Sequence, residues 1–461
     1  MKQNPIPVVS PATQAPSPQS EPGTPISIAL VATCPPRQCG IATFSSDLAR
    51  SIRAADPTAS VSWAAIDNPR LVQSYGPEVR WKIEQGNPAS YQAAAQALNA
   101  SDVDVVALQH EFGLYGAWNG GFVDHLEPFL RVLRKPLVTT LHTVLPEPHP
   151  SQRRAIQRIG DKSTNVVVMA ETARRLLVRE YGVPVSRIRV IPHGVPPMPA
   201  VDREQAKANL GIAGHTVVAT FGLVDPRKGL EYAIRAMQAV VADHPDALYL
   251  ILGRTHPEFV RTSGESYRTE LTTLVESLGL AENVRFIDRY LTNEDVVAYL
   301  RATDVYVTPY LDPNQITSGT LAYALGAGRA IISTPYLHAA EVLAEGRGIL
   351  VDFRSEQALA DGLKRVLGDP SLRTQLEDSA YAYGRQTFWP IVVQSALGLY
   401  RDAAAAARTL SVSRYRYSLS DQRWRRPLSE RKPYRSITSA GLSDVERSGS
   451  GTYGTRRDSL N

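Results

Sequence analysis

The chain has 461 residues, 43% hydrophobic and 21% charged, which is typical of globular protein and leaves room for two or three domains. No apolar run approaches the roughly 20 residues of a membrane-spanning helix and the N-terminus lacks the order of a secretory signal, so we expect a cytoplasmic protein. The net charge of +5 comes from residues 410–461, which have eleven basic and five acidic side chains. Residues 1–409 have 39 basic and 40 acidic side chains, so their charge is nearly balanced. This balance argues against a nucleic-acid partner.

The N-terminal half is predicted to alternate strands and helices. Residues 1–25 are rich in Pro and Ser, so we expect a disordered tail there and a fold that starts near Ile26. Short β-rich runs separated by segments of helical spacing then favour a parallel sheet covered by helices on both faces. The predicted strands are Ile26–Ala32, Val61–Ala65, Val103–Leu108, Pro136–Leu141 and Asn165–Met169, and the predicted helices include Phe44–Ile52 and Glu171–Tyr181.

The loop after the first strand holds Cys34, Cys39 and Gly40. Two cysteines without neighbouring His predict reduced thiols and no metal site. Gly40 would let a ligand approach the backbone, although a tight turn explains it as well. Ser45, Ser46 and Asp47 are interpreted as caps of the helix that follows.

Polar residues follow two later strands of this half. His110 and Glu111 come after one strand and His142 after the next, and such strand ends face the crevice in open α/β sheets. His110 and Glu111 could bind a ligand in that crevice or could be a hydrogen-bonded structural pair. His142 could donate to a ligand hydroxyl without acting as a base.

A second cycle of strands and helices follows the Pro-rich bridge Val195–Ala200. We predict an N-terminal domain at 26–198, a C-terminal domain at 199–385, a terminal helix at 386–408 and a basic disordered tail at 409–461. The fold class is therefore α/β, with two Rossmann-like domains facing a central cleft. The predicted strands of this cycle are Thr216–Phe221, Ala247–Leu252, Asn283–Ile287, Asp304–Thr308, Ala330–Thr334 and Gly348–Val351.

Cationic residues follow the first strands of the second cycle. Gly222 begins a turn that ends in Arg227 and Lys228, and Arg254 closes the next strand. A fixed cation would stabilise the negative charge of a phosphate-bearing ligand. The alternative is a pair of exposed cations that cap a turn.

The stretch Tyr310–Val351 carries the most information. Polar and small residues separate a strand from a helix predicted to start at Gly319, and they would crowd a helix N-terminus, which attracts anions. The residues of this predicted anion site are Gln315, Thr317, Ser318, Gly319 and Thr320.

The same stretch resembles the retaining glycosyltransferase family 4, also called glycosyl transferases group 1. The family pattern has a Glu, seven residues, a second Glu and then Ala-x-Ala-x-Gly-x-Pro; here YALGAGRAI matches the tail. The acidic positions fall on Gln315 and Tyr323, so neither carboxylate is present, and the wording around them resembles a mannosyltransferase-like branch. Lys228 matches the family lysine, whereas Leu223 occupies an arginine position that Arg227 could replace.

This resemblance implies the GT-B fold over residues 26–408 and a donor that is a nucleotide-diphosphate sugar, with GDP-mannose a candidate, and no other cofactor. The implied catalytic residues are His142, Lys228 and Gln315. The implied donor contacts are Gly222, Arg227, Arg254, Phe286, Ser318, Gly319, Thr320 and Tyr323, and the acceptor-side residues are Gly40, His110 and Glu111.

The resemblance implies metal-independent retaining transfer of a hexosyl, here mannosyl, group to a saccharide or lipid-linked acceptor, as in polysaccharide biosynthesis. Two alternatives stay open: a sugar-nucleotide epimerase of the same architecture, and a non-catalytic sugar-nucleotide-binding protein that lost the glutamates. The basic tail could add weak peripheral contact with the inner face of an anionic membrane, or it could be solvated and without function.

Overall fold

The computed structural model of the protein describes residues 25–70, 73–199 and 202–424. The predicted N-terminal tail up to residue 24 and the predicted basic tail from residue 425 onward lie outside these ranges. Within the described residues, no helix is both long and apolar enough to cross a bilayer.

The first half forms a parallel sheet. Its strands are β1 (Ser27–Ala32), β2 (Ser60–Asp67), β3 (Val79–Glu84), β4 (Val105–His110), β5 (Gly116–Trp118), β6 (Phe122–Asp124), β7 (Leu137–Leu141), β8 (Asn165–Val168) and β9 (Ile188–Val190). Seven of them lie in the order β3-β2-β1-β4-β7-β8-β9, and β5 pairs with β6 as an antiparallel hairpin. The short edge strand β3 was not predicted, because alternate side chains are exposed and its apolar signal is weak.

The second half repeats this organisation. Its strands are β10 (Thr216–Phe221), β11 (Ala247–Leu252), β12 (Val284–Ile287), β13 (Val305–Thr308), β14 (Ala330–Ser333) and β15 (Ile349–Leu350), in the order β12-β11-β10-β13-β14-β15. All pairs are parallel, and the strand order reverses beside β10, as in Rossmann sheets. The predicted α/β class with two Rossmann-like domains is confirmed.

Helices cover both faces of each sheet. Those of the first half are α1 (Gly40–Ala55), α2 (Pro88–Asn99), α3 (Phe112–Tyr115), α4 (Glu127–Val132), α5 (Pro150–Lys162) and α6 (Glu171–Tyr181). Those of the second half are α7 (Arg203–Asn209), α8 (Leu230–Asp243), α9 (Pro257–Ser263), α10 (Ser266–Ser277), α11 (Asn293–Ala302), α12 (Gly319–Gly326), α13 (Leu337–Val342), α14 (Glu356–Gly368) and α15 (Pro370–Gly384).

Strand β1 shows why these helices pack as they do. Its residues alternate between two apolar clusters, with Ala29 and Val31 on one face and Ile28 and Leu30 on the other, all fully buried. Both faces of a parallel sheet need such cover, because side chains of a strand alternate in direction. The carboxyl ends of the strands are thereby left as the open edge.

The last helix, α16, runs from Trp389 to Trp424. Its first turns, including Trp389, Val393 and Leu397, pack in the same cluster as Ile28 and Leu30 of β1. The predicted basic tail begins at residue 409, whereas α16 continues to Trp424. Extending a formed helix adds one hydrogen bond for each residue fixed, so a stretch of weak apolar pattern can still be helical.

A buried ionic cluster joins α7 to the start of β13. The Asp304 carboxylate accepts hydrogen bonds from Arg203 at 3.0 Å and from the Val217 backbone N–H at 2.8 Å, and Lys207 Nζ lies 2.9 Å away. Burial alone would raise the pKa of Asp304, but the Val217 and Lys207 hydrogen bonds and the Arg203 charge outweigh it and hold the pKa below its usual value.

We expect the Asp304→Asn variant to lose about 3 kcal/mol of unfolding free energy at pH 7, because it removes the buried carboxylate that Arg203 and Lys207 share and leaves them only Glu377 and Glu204, respectively. A depressed folded pKa means that this contribution is present above the unfolded pKa of about 4 and is lost as pH falls below it. Urea denaturation at pH 7 and at about pH 3 should therefore show a smaller stability difference between variant and wild type in acid. The control is Asp243→Asn, an exposed partner of Lys364 that should behave like wild type. An equal loss at both pH values would contradict the expectation.

Candidate functional site

A cleft of about 510 Å³ opens at the carboxyl ends of both sheets, where the strand order reverses. Its walls come from the loops after β1, β4 and β7 on one side and after β10, β11 and β13 on the other. The predicted residues that line it are Gly40, Glu111, His142, Gly222, Arg227, Lys228, Arg254, Gln315, Gly319, Thr320 and Tyr323.

Two cations lie on the C-terminal wall in the turn after β10. Asp225 holds Arg227 through two side-chain hydrogen bonds, at 3.0 Å to Nε and 2.9 Å to Nη2, so the guanidinium is oriented although it is exposed. Lys228 Nζ lies 3.9 Å from the centroid of the Tyr310 ring, a cation–π contact. The Tyr310 hydroxyl in turn lies 2.7 Å from Thr320 Oγ1. Tyr310 therefore connects Lys228 to the start of α12.

The N-terminus of α12 forms the neighbouring part of this wall. Gly319 and Thr320, its first two residues, line the cleft. Gln315 is half-buried and donates through Nε2 to the Thr317 carbonyl at 3.2 Å. Backbone N–H groups at a helix start carry partial positive charge, so the wall combines two cations with a helix terminus suited to an anion.

Ser318, Phe286 and His110 are not among the residues that line the cleft. The Ser318 backbone N–H is occupied by Nδ1 of His338 at 3.0 Å. Phe286 lies beside Arg268, whose guanidinium carbon is 5.9 Å from the ring centroid. His110 is buried and stacks on Tyr115 at 5.5 Å between centroids, because β4 turns its side chain away from the open edge. Only its neighbour Glu111 reaches the cleft.

The N-terminal wall carries Glu111 and two neutral histidines. Glu111 accepts from the Thr143 hydroxyl at 2.6 Å and from the Phe112 N–H at 3.0 Å, and burial raises its pKa. Burial lowers the pKa of His142 to about 3 and that of His193 to about 4, so both are uncharged at neutral pH.

The tautomer of His142 follows from its partner. Nε2 lies 3.0 Å from the amide oxygen of Gln109, which can only accept, so Nε2 carries the hydrogen and Nδ1 keeps its lone pair. The edge of the Phe44 ring holds the imidazole at 4.9 Å between centroids. His142 is thus a fixed, neutral polar group at the end of β7.

Several contacts across the cleft involve residues to which the sequence gave no cross-domain role. Asp47 was interpreted as a cap, but α1 begins at Gly40, so Asp47 lies inside the helix. Its carboxylate accepts from Asn293 Nδ2 at 2.9 and 3.0 Å, and the Tyr323 hydroxyl lies 3.3 Å from it. One turn earlier, Thr43 Oγ1 lies 2.7 Å from the Tyr290 hydroxyl. An aspartate can serve either as a helix cap or as a hydrogen-bond acceptor for another domain, so the residue type at position 47 does not distinguish the two roles.

Arg254 also crosses the cleft. It is exposed, and its Nη1 donates to Gln38 Oε1 at 2.9 Å. Its position after β11 places a third cation near Arg227 and Lys228 on the same wall.

Two family profiles divide the chain between them. Residues 30–198 match "Glycosyltransferase Family 4" and residues 202–383 match "Glycosyl transferases group 1". The D-inositol 3-phosphate glycosyltransferase of Corynebacterium glutamicum is 29% identical over 307 residues, which cover 62% of this chain and 71% of the relative. That of Acidothermus cellulolyticus is 30% identical over 60% of this chain and 64% of its own length. The phosphatidyl-myo-inositol mannosyltransferase of Mycobacterium leprae is 24% identical over 62% of this chain and 72% of its own length.

Solved structures establish the fold. Sucrose-phosphate synthase from Thermosynechococcus elongatus superposes with a TM-score of 0.66 at 19% identity, over 83% of this chain and 100% of that one. Anabaena HepE, solved in complex with UDP and glucose, gives a TM-score of 0.62 at 16% identity, over 84% and 100%. The two sheets, the cleft between them and the two profiles all agree. The chain belongs to glycosyltransferase family 4 and has the GT-B fold.

Proposed function

We propose that the protein is a retaining glycosyltransferase that moves a hexosyl group, with mannosyl the first candidate, from a nucleotide-diphosphate sugar to a saccharide or lipid-linked acceptor. The main support is the asymmetry of the cleft. Arg227, Lys228 and Arg254 lie on one wall with the start of α12, and neutral histidines lie on the other. This distribution suits a diphosphate on one side and a hydroxyl group on the other.

The chemistry follows from where charge develops. The bond between the anomeric carbon and the phosphate oxygen breaks, and the diphosphate gains negative charge that Lys228 and the amide groups of Gly319 and Thr320 would stabilise. The acceptor oxygen bonds to the anomeric carbon from the same face, and its proton passes to the departing phosphate oxygen. Because fixed cations supply this stabilisation, we propose that transfer needs no metal ion.

The donor side retains hydrogen-bonding groups in place of the family's carboxylates. Gln315 would bind hydroxyls of the donor sugar, and Tyr323 stands where the family pattern has its second Glu. An amide both donates and accepts, so a sugar hydroxyl can still be held, although without charge.

The experiment that tests the function is a donor panel. The purified chain is incubated with GDP-mannose, UDP-glucose, UDP-galactose and UDP-N-acetylglucosamine, with and without a mixture of oligosaccharides, and nucleotide release and sugar products are measured. We expect one donor to release nucleotide and to extend an oligosaccharide with retained anomeric configuration. Nucleotide binding without release would favour the non-catalytic alternative, and an epimerised sugar without transfer would favour the epimerase.

The acceptor is proposed to be uncharged at its reacting end. Among the described residues of the cleft, those from the N-terminal domain include Asp47 and Glu111 but no Lys or Arg. A phosphate there would meet the carboxylates of Asp47 and Glu111, and the cation whose charge reaches Glu111, Arg227, lies on the opposite wall, where the diphosphate would bind.

We therefore expect D-inositol 3-phosphate to be a poorer acceptor than a neutral oligosaccharide by at least about 10-fold in kcat/KM, the equivalent of about 1.4 kcal/mol. Competition between the two acceptors for a limiting amount of donor measures this ratio. Preferential glycosylation of the phosphate would contradict the assignment while leaving the donor side intact.

A further inference from the structure

Asp47 is the point where the two domains share one buried polar cluster, which consists of Asp47, Asn293 and Tyr323. Asp47 is 3% exposed and Tyr323 is 6% exposed, and all three residues line the cleft. Asp47 comes from α1 of the N-terminal domain, whereas Asn293 begins α11 and Tyr323 lies in α12 of the C-terminal domain.

The hydrogen bonds of this cluster are mutually dependent. Asn293 spans both carboxylate oxygens of Asp47 through Nδ2, and its own Oδ1 lies 3.1 Å from the Tyr323 hydroxyl. That hydroxyl has a single hydrogen, which it can donate to Asn293 or to Asp47 at 3.3 Å. On the other side of Asp47, the largely exposed Arg50 approaches at 3.2 Å.

A buried carboxylate is unfavourable unless donors compensate for the lost water, and here two of the donors belong to the other domain. Separating the domains would remove both and leave Arg50 and solvent. The cluster therefore favours the closed arrangement, and it fixes Tyr323 beside Phe221, with ring centroids 5.8 Å apart, at the wall that carries the cations.

We propose that Asp47 is a positioning residue of the donor site: its carboxylate holds Tyr323 and Asn293 in place, so that the N-terminal domain completes the pocket for the nucleotide-diphosphate sugar. A tyrosine suits position 323 in this chain because a phenol donates to Asp47, whereas a glutamate would place a second carboxylate against the first. The kinetic test of this proposal rests on the proposed function, because it measures turnover of the donor. The scattering test of domain opening does not depend on that function.

The test is a double-mutant cycle between the two positions, with the donor that the panel identifies. We expect Tyr323→Glu, which restores the family's acidic residue, to lower kcat/KM for the donor by at least 10-fold. Adding Asp47→Asn should recover most of that loss, since an amide can donate to the new carboxylate. Tyr323→Phe should raise the donor KM several-fold with kcat within 2-fold, which separates positioning from general damage.

The matched control is Arg50→Ala, which removes the solvent-side partner of Asp47 and does not itself line the cleft; it should remain within 2-fold of wild type. The proposal is overturned if Tyr323→Glu is as active as wild type, or if Asp47→Asn adds its own loss to that of Tyr323→Glu.

A second measurement does not depend on turnover. Small-angle scattering of the unliganded chain should give a larger radius of gyration for Asp47→Ala than for wild type or Arg50→Ala, and UDP or GDP should reduce the difference. If wild type turns over no donor but scattering shows this opening, the proposed function fails and the domain coupling stands. If turnover is observed and all three proteins scatter alike, the coupling fails and the transferase assignment stands.

Discussion

Replacing Lys228 with alanine is expected to lower kcat for donor turnover by about 100-fold. The ammonium group is half-buried at the cleft wall and lies 3.9 Å from the Tyr310 ring centroid, so the fold already fixes the position of its charge. A fixed charge stabilises a departing diphosphate without first having to reorganise solvent. Steady-state nucleotide release at saturating donor measures the change.

Lys228→Arg should keep part of the activity because it retains the charge, and Lys364→Ala should behave like wild type. Lys364 lies on α14, pairs with Asp243 at 2.8 Å and is outside the cleft. Wild-type turnover by Lys228→Ala would refute the assignment of the leaving-group site.

The second large expected effect is a loss of stability when Gly253, where two backbone segments approach closely, is replaced. Gly253 follows β11 with φ of +136°, and a Cβ built on it would lie 2.1 Å from the carbonyl oxygen of Gly222, which follows β10. Neither backbone can yield easily, because β10 and β11 are paired along their length and Gly253 N–H donates to Ile287 O at 3.0 Å. We expect Gly253→Ala to destabilise the protein by about 4 kcal/mol. The shift in the urea unfolding curve measures this loss.

Gly113→Ala is the matched control for this substitution. Gly113 lies in the short helix α3 that follows β4, has no φ in the left-handed region, and a Cβ there would meet no atom within 4 Å. Its unfolding free energy should stay within about 1 kcal/mol of wild type. An equal effect at the two glycines would show that the approach of the Gly222 carbonyl is not what restricts position 253.

Much of the fold could be predicted from local pattern. Strands β10 and β11 and helix α6 begin and end where the pattern predicts, and α12 starts at Gly319. Apolar periodicity reports which residues a strand or helix buries, and that information is local. The position of the adjacent cations Arg227 and Lys228 at the ligand-binding edge could also be predicted, because they follow a strand and the carboxyl ends of parallel strands share one edge.

Side-chain direction at a strand end was not predictable in the same way. His110 and Glu111 are adjacent, yet His110 packs on Tyr115 and only Glu111 lines the cleft. Successive side chains of a strand point to opposite faces, so an error of one residue in where the strand ends exchanges a core residue for a site residue.

The sequence by itself determined two strand–helix cycles, the edge at which each sheet opens and the charge on the wall after β10. Only the tertiary structure decided that Asp47 contacts Tyr323, 276 residues away, and that the Ser318 backbone N–H donates its hydrogen bond to His338. The physical reason is that periodicity records which face of an element is buried, whereas a hydrogen bond between domains depends on how two separately folded units approach each other.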